Sequence, residues 1–110
     1  MNHYVTQLPF SENTKRDLQE CVNRLLEAPV AYDKIVLFGS YARGEEKINS
    51  DYDILALTKQ PVDREIQSTF RSEFEEKHAD LLFFSNSEFN ASDTLLVKQI
   101  RKDGVLLWKN

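Results

Sequence analysis

Two aspartates separated by a single residue stand at the start of an apolar segment. Asp51 and Asp53 flank Tyr52, and the residues that follow have the pattern of a buried β-strand. Because residues i and i+2 of a strand project from the same face, the two carboxylates should point the same way. Carboxylates held so close repel each other, and a divalent cation relieves that repulsion. Oxygen ligands favour Mg²⁺ or Mn²⁺ over zinc, although the pair alone is equally compatible with solvated turn residues.

A third aspartate opens another apolar strand. Asp80 lies at the head of residues 79–84. If this strand runs beside the strand of Asp53 in the same direction, Asp80 comes level with the pair. Three carboxylates could hold one or two divalent ions. In a two-metal site the ions stabilise both the attacking and the leaving oxygen of a phosphoryl displacement. Asp80 could also accept the proton of an attacking hydroxyl, whereas the alternative is an aspartate in water at the start of a strand.

A segment bounded by glycines lies between a predicted strand and a predicted short helix. Gly39 lets another group approach the backbone closely, and Ser40 adds a hydroxyl beside the free N–H groups of the helix start. This arrangement suits nucleotide phosphates. Arg43 could add positive charge there, or it could pair with Glu45 or Glu46. The segment is neither a Walker A loop nor a dinucleotide-binding fingerprint.

Hydrophobic periodicity and turn residues predict the elements that position these side chains. Helices are expected at residues 15–27, where Thr14 is the predicted N-cap, at 62–77, and from a cap at Ser92 to Gly104. Strands are expected at residues 34–38, 51–58, 79–84 and 105–108, with a short helix at 39–44 after the first strand. The sequence therefore predicts an α/β (or α+β) domain, a small sheet with helices packed mainly on one face.

The composition limits the size and the partners of this domain. With 110 residues, 41% of them hydrophobic and 29% charged, the chain should form one globular domain over residues 1–110, with residues 1–30 as a helical segment packed on it. Acids outnumber bases 18 to 14, which argues against strong nucleic-acid binding through phosphate contacts. No apolar run is long enough to span a membrane, and a single cysteine favours a cytoplasmic setting.

Four other residues invite a functional reading, but a structural one is favoured for each. Cys21 falls near the apolar stripe of the first helix and is expected to be a small buried hydrophobe. His78 is expected to be a helix-end or loop residue rather than a metal ligand. Phe89 and Trp108 are expected to belong to the core rather than to anchor a partner.

The combination of these motifs resembles the DNA polymerase β-like nucleotidyltransferase superfamily, and most closely its minimal members, often called MNT proteins. The resemblance covers residues 34–108 and is carried by residues 38–44, 50–55 and 100–108, with Asp80 on its own strand. It implies a mixed sheet with helices on one side. It also implies that Asp51, Asp53 and Asp80 hold Mg²⁺, that Asp80 helps to activate the nucleophile, and that Gly39 and Ser40 hold the triphosphate.

The resemblance also implies a reaction and a partner. The reaction would transfer a nucleoside monophosphate, AMP from ATP in the first instance, to a hydroxyl and release pyrophosphate. Larger relatives carry a further helical domain that helps to bind the acceptor, whereas this sequence stops at Asn110. The expected partner is therefore a separate helical protein of the HEPN type, whose tyrosine would be the acceptor in a toxin–antitoxin pair. A homo-oligomer is also compatible with the sequence.

Two other functions are compatible with parts of the pattern. The chain could be a catalytically silent, antitoxin-like module that acts on its partner by contact alone. The Asp51-Tyr52-Asp53 motif could also be the metal site of a nucleotide-sugar glycosyltransferase, but the chain is short for that fold and Gly39-Ser40 would have no role.

Overall fold

Five helices and a four-stranded sheet follow one another along the chain in this computed structural model, which describes residues 4–110. A 3₁₀ turn at Val5–Gln7 precedes the helices α1 (Glu12–Leu26), α2 (Gly39–Arg43), α3 (Arg64–Glu75), α4 (Asn86–Ala91) and α5 (Leu95–Asp103). The strands are β1 (Tyr32–Phe38), β2 (Tyr52–Thr58), β3 (Ala79–Ser85) and β4 (Val105–Lys109). The predicted α/β class is confirmed. The predicted domain extends over residues 1–110, and its first three residues lie outside the described part.

The sheet is mixed, with the strand order β3-β2-β1-β4. The β1 strand pairs antiparallel with both β2 and β4, whereas β2 and β3 run parallel and are joined by α3. The two strands that begin beside the predicted acidic residues are therefore neighbours with the same direction. The mixed sheet that the family resemblance implied is confirmed.

The two longest helices pack on one face of the sheet and form the core with it. From α1, the side chains Leu18, Cys21, Val22 and Leu25 are buried, and α3 contributes Phe70 and Phe74. Buried residues recur every three or four positions, so one face of each helix points inward, as the periodicity required. Arg24 of α1 donates two hydrogen bonds to Glu73 of α3, with Nε 2.6 Å from Oε2, which ties the two helices together.

The opposite face of the sheet is covered only by the shorter helices α4 and α5. Val97 and Ile100 of α5 are buried, and Ile100 lies near Leu55 and Leu57 of β2. The predicted placement of helices mainly on one face therefore holds for the two long helices. The second face is partly covered by α5. Leu55 and Leu57 are 1% and 7% exposed, so the middle of this face is buried as well.

Helix starts differ from the prediction at two places. Helix α1 is capped by Ser11, whose side chain accepts a hydrogen bond from the Thr14 N–H, so Thr14 itself lies inside the helix. Ser92 does not cap α5, because Thr94 has that role. Residues 86–91, expected to be non-helical, form α4, which begins with a capping box between Ser85 and Glu88. Six residues are too few for hydrophobic periodicity to reveal a helix, but the serine–glutamate spacing of the box is visible in the sequence.

Three of the four residues for which a structural role was favoured occupy the predicted positions, whereas Phe89, predicted for the core, lies outside it. Cys21 is 2% exposed in the core, and Trp108 packs against that core. Phe89 is half-buried, and its ring makes an edge contact with Phe84 at 6.1 Å. His78 follows the end of α3 in a left-handed conformation, with φ +58°. None of the helices in the described part of the chain is both long and apolar enough to cross a bilayer.

Candidate active site

Asp53 and Asp80 lie side by side at one edge of the sheet. They are partners in the register of the parallel pair β2 and β3, so both side chains project from the same face. Neighbouring strands are about 4.8 Å apart, which brings the two carboxylates close together. The sequence predicted this proximity only on the condition that the two strands are adjacent and parallel, and the fold fulfils that condition.

Asp51 lies just before β2 and completes an acidic cluster with the other two. Its backbone precedes the first strand residue, Tyr52, and its side chain is exposed, so Asp51 lies outside the strand that was predicted to begin with it. Burial raises the pKa of the half-buried Asp53, and the charges of Asp80 and Asp51 raise it further, while the charge of Arg43 lowers it. Each of the other two acids therefore acts electrostatically on Asp53. Burial and two like charges thus disfavour the charged form of Asp53, and a bound cation would favour it.

Gly39 brings the start of α2 directly against the carboxylate of Asp53. Its φ is +74°, and a Cβ atom added there would lie 2.8 Å from the carboxyl carbon of Asp53. Any other residue would therefore face both a strained backbone and a steric clash. Glycine is required here because the backbone approaches the Asp53 carboxylate so closely. The close approach of another group to Gly39 was predicted, but for a phosphate, and that role stays a prediction.

The short helix α2 places Ser40 and Arg43 near the same acids. The residue before the helix, Phe38, provides no side-chain cap, and Ser40 lies in the first turn. Arg43 donates from Nε to Oε1 of Glu45 at 3.0 Å, so the ion pair that the sequence allowed is present. Because the charge of Arg43 also lowers the pKa of Asp53, it acts on the acidic cluster as well. The assignment of Gly39, Ser40 and Arg43 to phosphate binding stays a prediction.

Two cavities adjoin the acidic cluster from different sides. Asp53 and Asp80 line a cavity of about 370 Å³ together with Phe38, Arg71 and Glu75. Arg71 and Glu75 were not among the residues singled out from the sequence. They stand four residues apart on α3, and this spacing on one helix face is the available signal. The sequence does not show where this face of α3 lies relative to the sheet. Its position follows from that of β3 at the sheet edge.

Asp51 faces the second cavity, whose volume is about 480 Å³. Tyr41, Lys77 and His78 are among the side chains that line it. His78 is therefore next to Asp51, although the structure gives it a helix-end position rather than a place among the acids. Its carbonyl oxygen accepts a hydrogen bond from the Tyr52 N–H at 3.0 Å, which fixes the segment between Asp51 and Asp53.

Aromatic side chains pack around Tyr52, between Asp51 and Asp53. The Tyr52 hydroxyl donates a hydrogen bond to Oδ2 of Asp17 on α1 at 2.8 Å, and burial together with this bond raises the pKa of Tyr52. The Tyr41 ring of α2 lies 4.7 Å from the Tyr52 ring, and Phe10 makes an edge contact with Tyr41 at 6.3 Å. Helices α1 and α2 are thereby fixed to the start of β2, where the acids emerge.

The donor set fits a hard divalent cation in its chemistry. Asp51, Asp53 and Asp80 offer oxygen ligands, and their mutual repulsion would be relieved by Mg²⁺ or Mn²⁺. Within residues 4–110, no group of three or more histidine, cysteine, aspartate or glutamate side chains is already arranged to hold a metal ion.

Comparison with known proteins assigns this fold and site to a family. The model of the family described as "Nucleotidyltransferase domain" matches residues 15–107, which include the acids and the glycine-bounded segment. The chain therefore belongs to the nucleotidyltransferase domain family, as the resemblance had indicated. No curated protein matches the chain.

Solved structures that share the fold include two toxin–antitoxin structures. One, a toxin–antitoxin with AMP-PNP, has 23% identity and a TM-score of 0.66 over 84% of this chain and 73% of that one. The MntA–HepT complex has 20% identity and a TM-score of 0.62, over 87% and 73%. A nucleotidyltransferase structure from Sulfolobus solfataricus has 21% identity and a TM-score of 0.59, over 94% and 93%. At these identities the likeness is one of fold.

Proposed function

We propose that this chain is a Mg²⁺-dependent nucleotidyltransferase that transfers a nucleoside monophosphate, AMP from ATP, to a hydroxyl acceptor and releases pyrophosphate. The observation that carries the proposal is the meeting of three features at one point. Asp53 and Asp80 are in register on parallel strands, and the backbone of Gly39 lies against the Asp53 carboxylate. Membership of the nucleotidyltransferase domain family supports the same reaction class.

Each residue of the cluster has a role in the proposal. Asp51, Asp53 and Asp80 would hold one or two Mg²⁺ ions, with Mn²⁺ as a substitute. Bound divalent ions would supply positive charge at the phosphate oxygens of the transferred and leaving groups. Asp80, the exposed carboxylate beside Asp53, would accept the proton of the attacking hydroxyl.

The glycine-bounded segment would bind the triphosphate. The start of α2 has no side-chain cap, so its N–H groups can donate to phosphate oxygens close to Asp53. Ser40 would add a hydroxyl donor. Arg43 would turn from Glu45 towards the phosphates, because a phosphate carries more negative charge than one exposed carboxylate.

The acceptor in this proposal is a tyrosine of a helical HEPN-type partner in a toxin–antitoxin pair. One structural neighbour is a tri-AMPylated HEPN toxin from Shewanella oneidensis in complex with an MNT antitoxin, with 21% identity and a TM-score of 0.54 over 84% of this chain. The cavity beside Asp80 is open, so a side chain presented by another protein can reach the acids.

A transfer assay tests the proposal. The chain is incubated with ATP labelled at the α-phosphate, Mg²⁺ and a candidate HEPN-type partner, and label on the partner is measured after denaturing electrophoresis. We expect Mg²⁺-dependent labelling that Asp53→Asn and Asp80→Asn each reduce by at least a hundredfold. The matched control is Asp93→Asn, which makes the same chemical change at an exposed site and should label normally. Full labelling by Asp53→Asn would exclude the proposed roles.

The second candidate function is a silent module that neutralises its partner by contact. It is favoured by one observation, the lack of a preassembled metal-binding group in the described part of the chain. The double variant Asp51→Asn/Asp53→Asn separates the two functions. If this variant still protects cells from the partner in full, protection is by contact; if protection is lost while the complex still forms, protection requires transfer.

A further inference from the structure

The cavity beside Asp80 has a lining that is partly apolar and partly charged. Phe38 and Leu82, both half-buried, contribute apolar walls, and the exposed side chains of Arg71 and Glu75 line it as well. Its volume of about 370 Å³ lies in the range of clefts that bind small molecules or single side chains. The cavity therefore offers a partly apolar enclosure next to the carboxylate that would take the proton of the acceptor.

The order of the strands places this cavity on the acceptor side of the proposed site. Gly39 follows β1, Asp53 is on β2 and Asp80 is on the edge strand β3, so the three lie in this order across the sheet. In a phosphoryl displacement the attacking and leaving oxygens are roughly in line. Because pyrophosphate leaves on the side of Gly39 in the proposed function, the acceptor hydroxyl must approach from the side of Asp80.

Arg71 is held on this side by two hydrogen bonds to uncharged oxygen atoms. Its Nε donates to the Leu81 carbonyl of β3, and its Nη2 donates to Oε1 of Gln67, one turn earlier on α3, both at 3.3 Å. Glu75 stands one turn later on α3, but the ion pairs among the described residues do not include Arg71. The guanidinium is thus fixed in position while its charge is not neutralised by a carboxylate.

Other guanidinium groups of this chain lie against aromatic rings. Arg24 is 4.9 Å from the centroid of the Phe70 ring, and Arg101 is 4.9 Å from that of Phe89. Arg71 has no such ring within the part of the chain that the structure describes. The face of an aromatic ring attracts a cation, and the flat guanidinium also stacks on it. Arg71 is therefore placed to receive a ring from outside the chain.

A carboxylate fits this position less well than an aromatic ring does. Asp53, Asp80 and Glu75 line the same cavity as Arg71 and would repel a further negative charge. A phenol ring carries no charge, and it would bury apolar surface against Phe38 and Leu82. A serine side chain or a ribose has no ring to make these contacts. The lining thus favours a hydroxyl that is carried by an aromatic ring.

We propose that Arg71 is a specificity-determining residue that selects the phenolic hydroxyl of a tyrosine over an aliphatic hydroxyl. This inference rests on the proposed function and names a residue by which that site chooses its acceptor. In the transfer, the tyrosine oxygen bonds to the α-phosphorus of ATP, the bond from that phosphorus to pyrophosphate breaks, and the phenolic proton passes to Asp80. The guanidinium of Arg71 lies against the tyrosine ring and holds it in the cavity.

Binding of two alternative reaction products tests the selection without requiring turnover. The probes are the N-acetyl amides of O-adenylyl-tyrosine and O-adenylyl-serine, titrated with Mg²⁺ into the intact chain in a calorimeter. The parent chain should bind the tyrosine compound about tenfold more tightly than the serine compound. Arg71→Ala should reduce this ratio about fivefold. The control is Arg64→Ala, which removes an exposed arginine of the same helix that does not line the cavity, and it should leave the ratio unchanged.

The ratio of the two affinities separates recognition of the ring from support of β3. If Arg71 only supported the edge strand through the Leu81 carbonyl, Arg71→Ala would weaken both compounds equally, because both contain AMP. Arg71→Lys keeps the positive charge and should keep most of the preference for tyrosine. Equal affinity of the parent chain for both compounds, or an unchanged ratio in Arg71→Ala, refutes the role of Arg71 alone. If the folded parent chain binds neither compound, the proposed function fails together with this inference.

Discussion

Replacing Asp53 with asparagine should stabilise the metal-free protein while it abolishes metal binding. Asp53 is half-buried and has Asp80 beside it on the adjacent strand. Asparagine has nearly the same shape but no charge. The substitution therefore removes both the cost of burying a carboxylate and its repulsion by Asp80 and Asp51.

The size of the gain follows from the geometry. With the carboxylates about 5 Å apart, Coulomb repulsion is about 0.8 kcal/mol in water and about 3 kcal/mol at the effective dielectric of a protein surface. Because Asp80 is exposed, the lower part of this range applies, and we expect a gain of about 1 kcal/mol in the free energy of unfolding at neutral pH. For a domain of this size that corresponds to a rise in Tm of roughly 4–8 °C.

The assay is thermal unfolding of the parent chain, Asp53→Asn and Asp93→Asn in EDTA and in saturating MgCl₂. In EDTA, Asp53→Asn should be the most stable of the three. In Mg²⁺ the order should reverse, because a ligand at a hundred times its dissociation constant stabilises by about 2.7 kcal/mol only the proteins that bind it. Asp93→Asn should follow the parent chain in both conditions.

The pH dependence of stability is a further test of whether the Asp53 carboxylate destabilises the metal-free chain. The pKa of Asp53 is raised in the folded state above its ordinary value of 3.8. At a pH between 3.8 and the raised pKa, the folded chain therefore binds more protons than the unfolded chain. The parent chain should therefore lose stability relative to Asp53→Asn as pH rises through that interval, and the difference should shrink at lower pH. If Asp53→Asn is less stable than the parent chain in EDTA at neutral pH, the repulsion argument is wrong. Equal stabilisation of both by Mg²⁺ would exclude Asp53 as a ligand.

Three further outcomes are expected. Gly39→Ala should lower both stability and transfer, because the added Cβ would displace the Asp53 carboxylate. The control Gly44→Ala, at φ +69° with open space around it, should lower the free energy of unfolding in urea by only about 1 kcal/mol and leave transfer intact. Equal losses in the two variants would contradict the close approach of Gly39 to Asp53. Tyr32→Phe should stabilise the chain by about 1 kcal/mol in the same assay, because the buried Tyr32 hydroxyl has no hydrogen-bond partner among the described residues. A loss of stability in this variant would show that the hydroxyl does have a hydrogen-bond partner. Burial raises the pKa of the Cys21 thiol to about 11, so Ellman's reagent at neutral pH should react roughly a hundredfold more slowly with the native chain than with the urea-unfolded chain; rapid native labelling would show that the thiol is accessible.

Much of the fold was predictable because its signals are local. The strands β1 to β4 and the helices α1 and α3 were each predicted within a few residues of their observed bounds, since apolar alternation and periodicity depend only on neighbours in sequence. The cap at Ser11 and helix α4 were missed. In both cases the deciding feature is a side-chain hydrogen bond to the backbone, for which several nearby serines and threonines compete.

The roles of the remaining residues near the site depend on contacts between distant parts of the chain. Arg71 and Glu75 reach the cavity of Asp53 and Asp80 only because β3 is an edge strand against which α3 packs. The pairing of the first strand with the last places β1 between β2 and β4. Nothing in either local sequence indicates which strand will lie beside it.

By itself, the sequence determined the residue types and their local positions. Asp80 was predicted near the start of a strand and Gly39 directly after one, and both lie there; Asp51, predicted to share a strand with Asp53, lies just before β2. Only the tertiary structure decided that the second and third strands are adjacent and parallel, so that Asp53 and Asp80 meet, and that the Gly39 backbone closes against the Asp53 carboxylate. The physical reason is that strand order is set by how the whole set of apolar faces is buried at once, and no single segment contains that information.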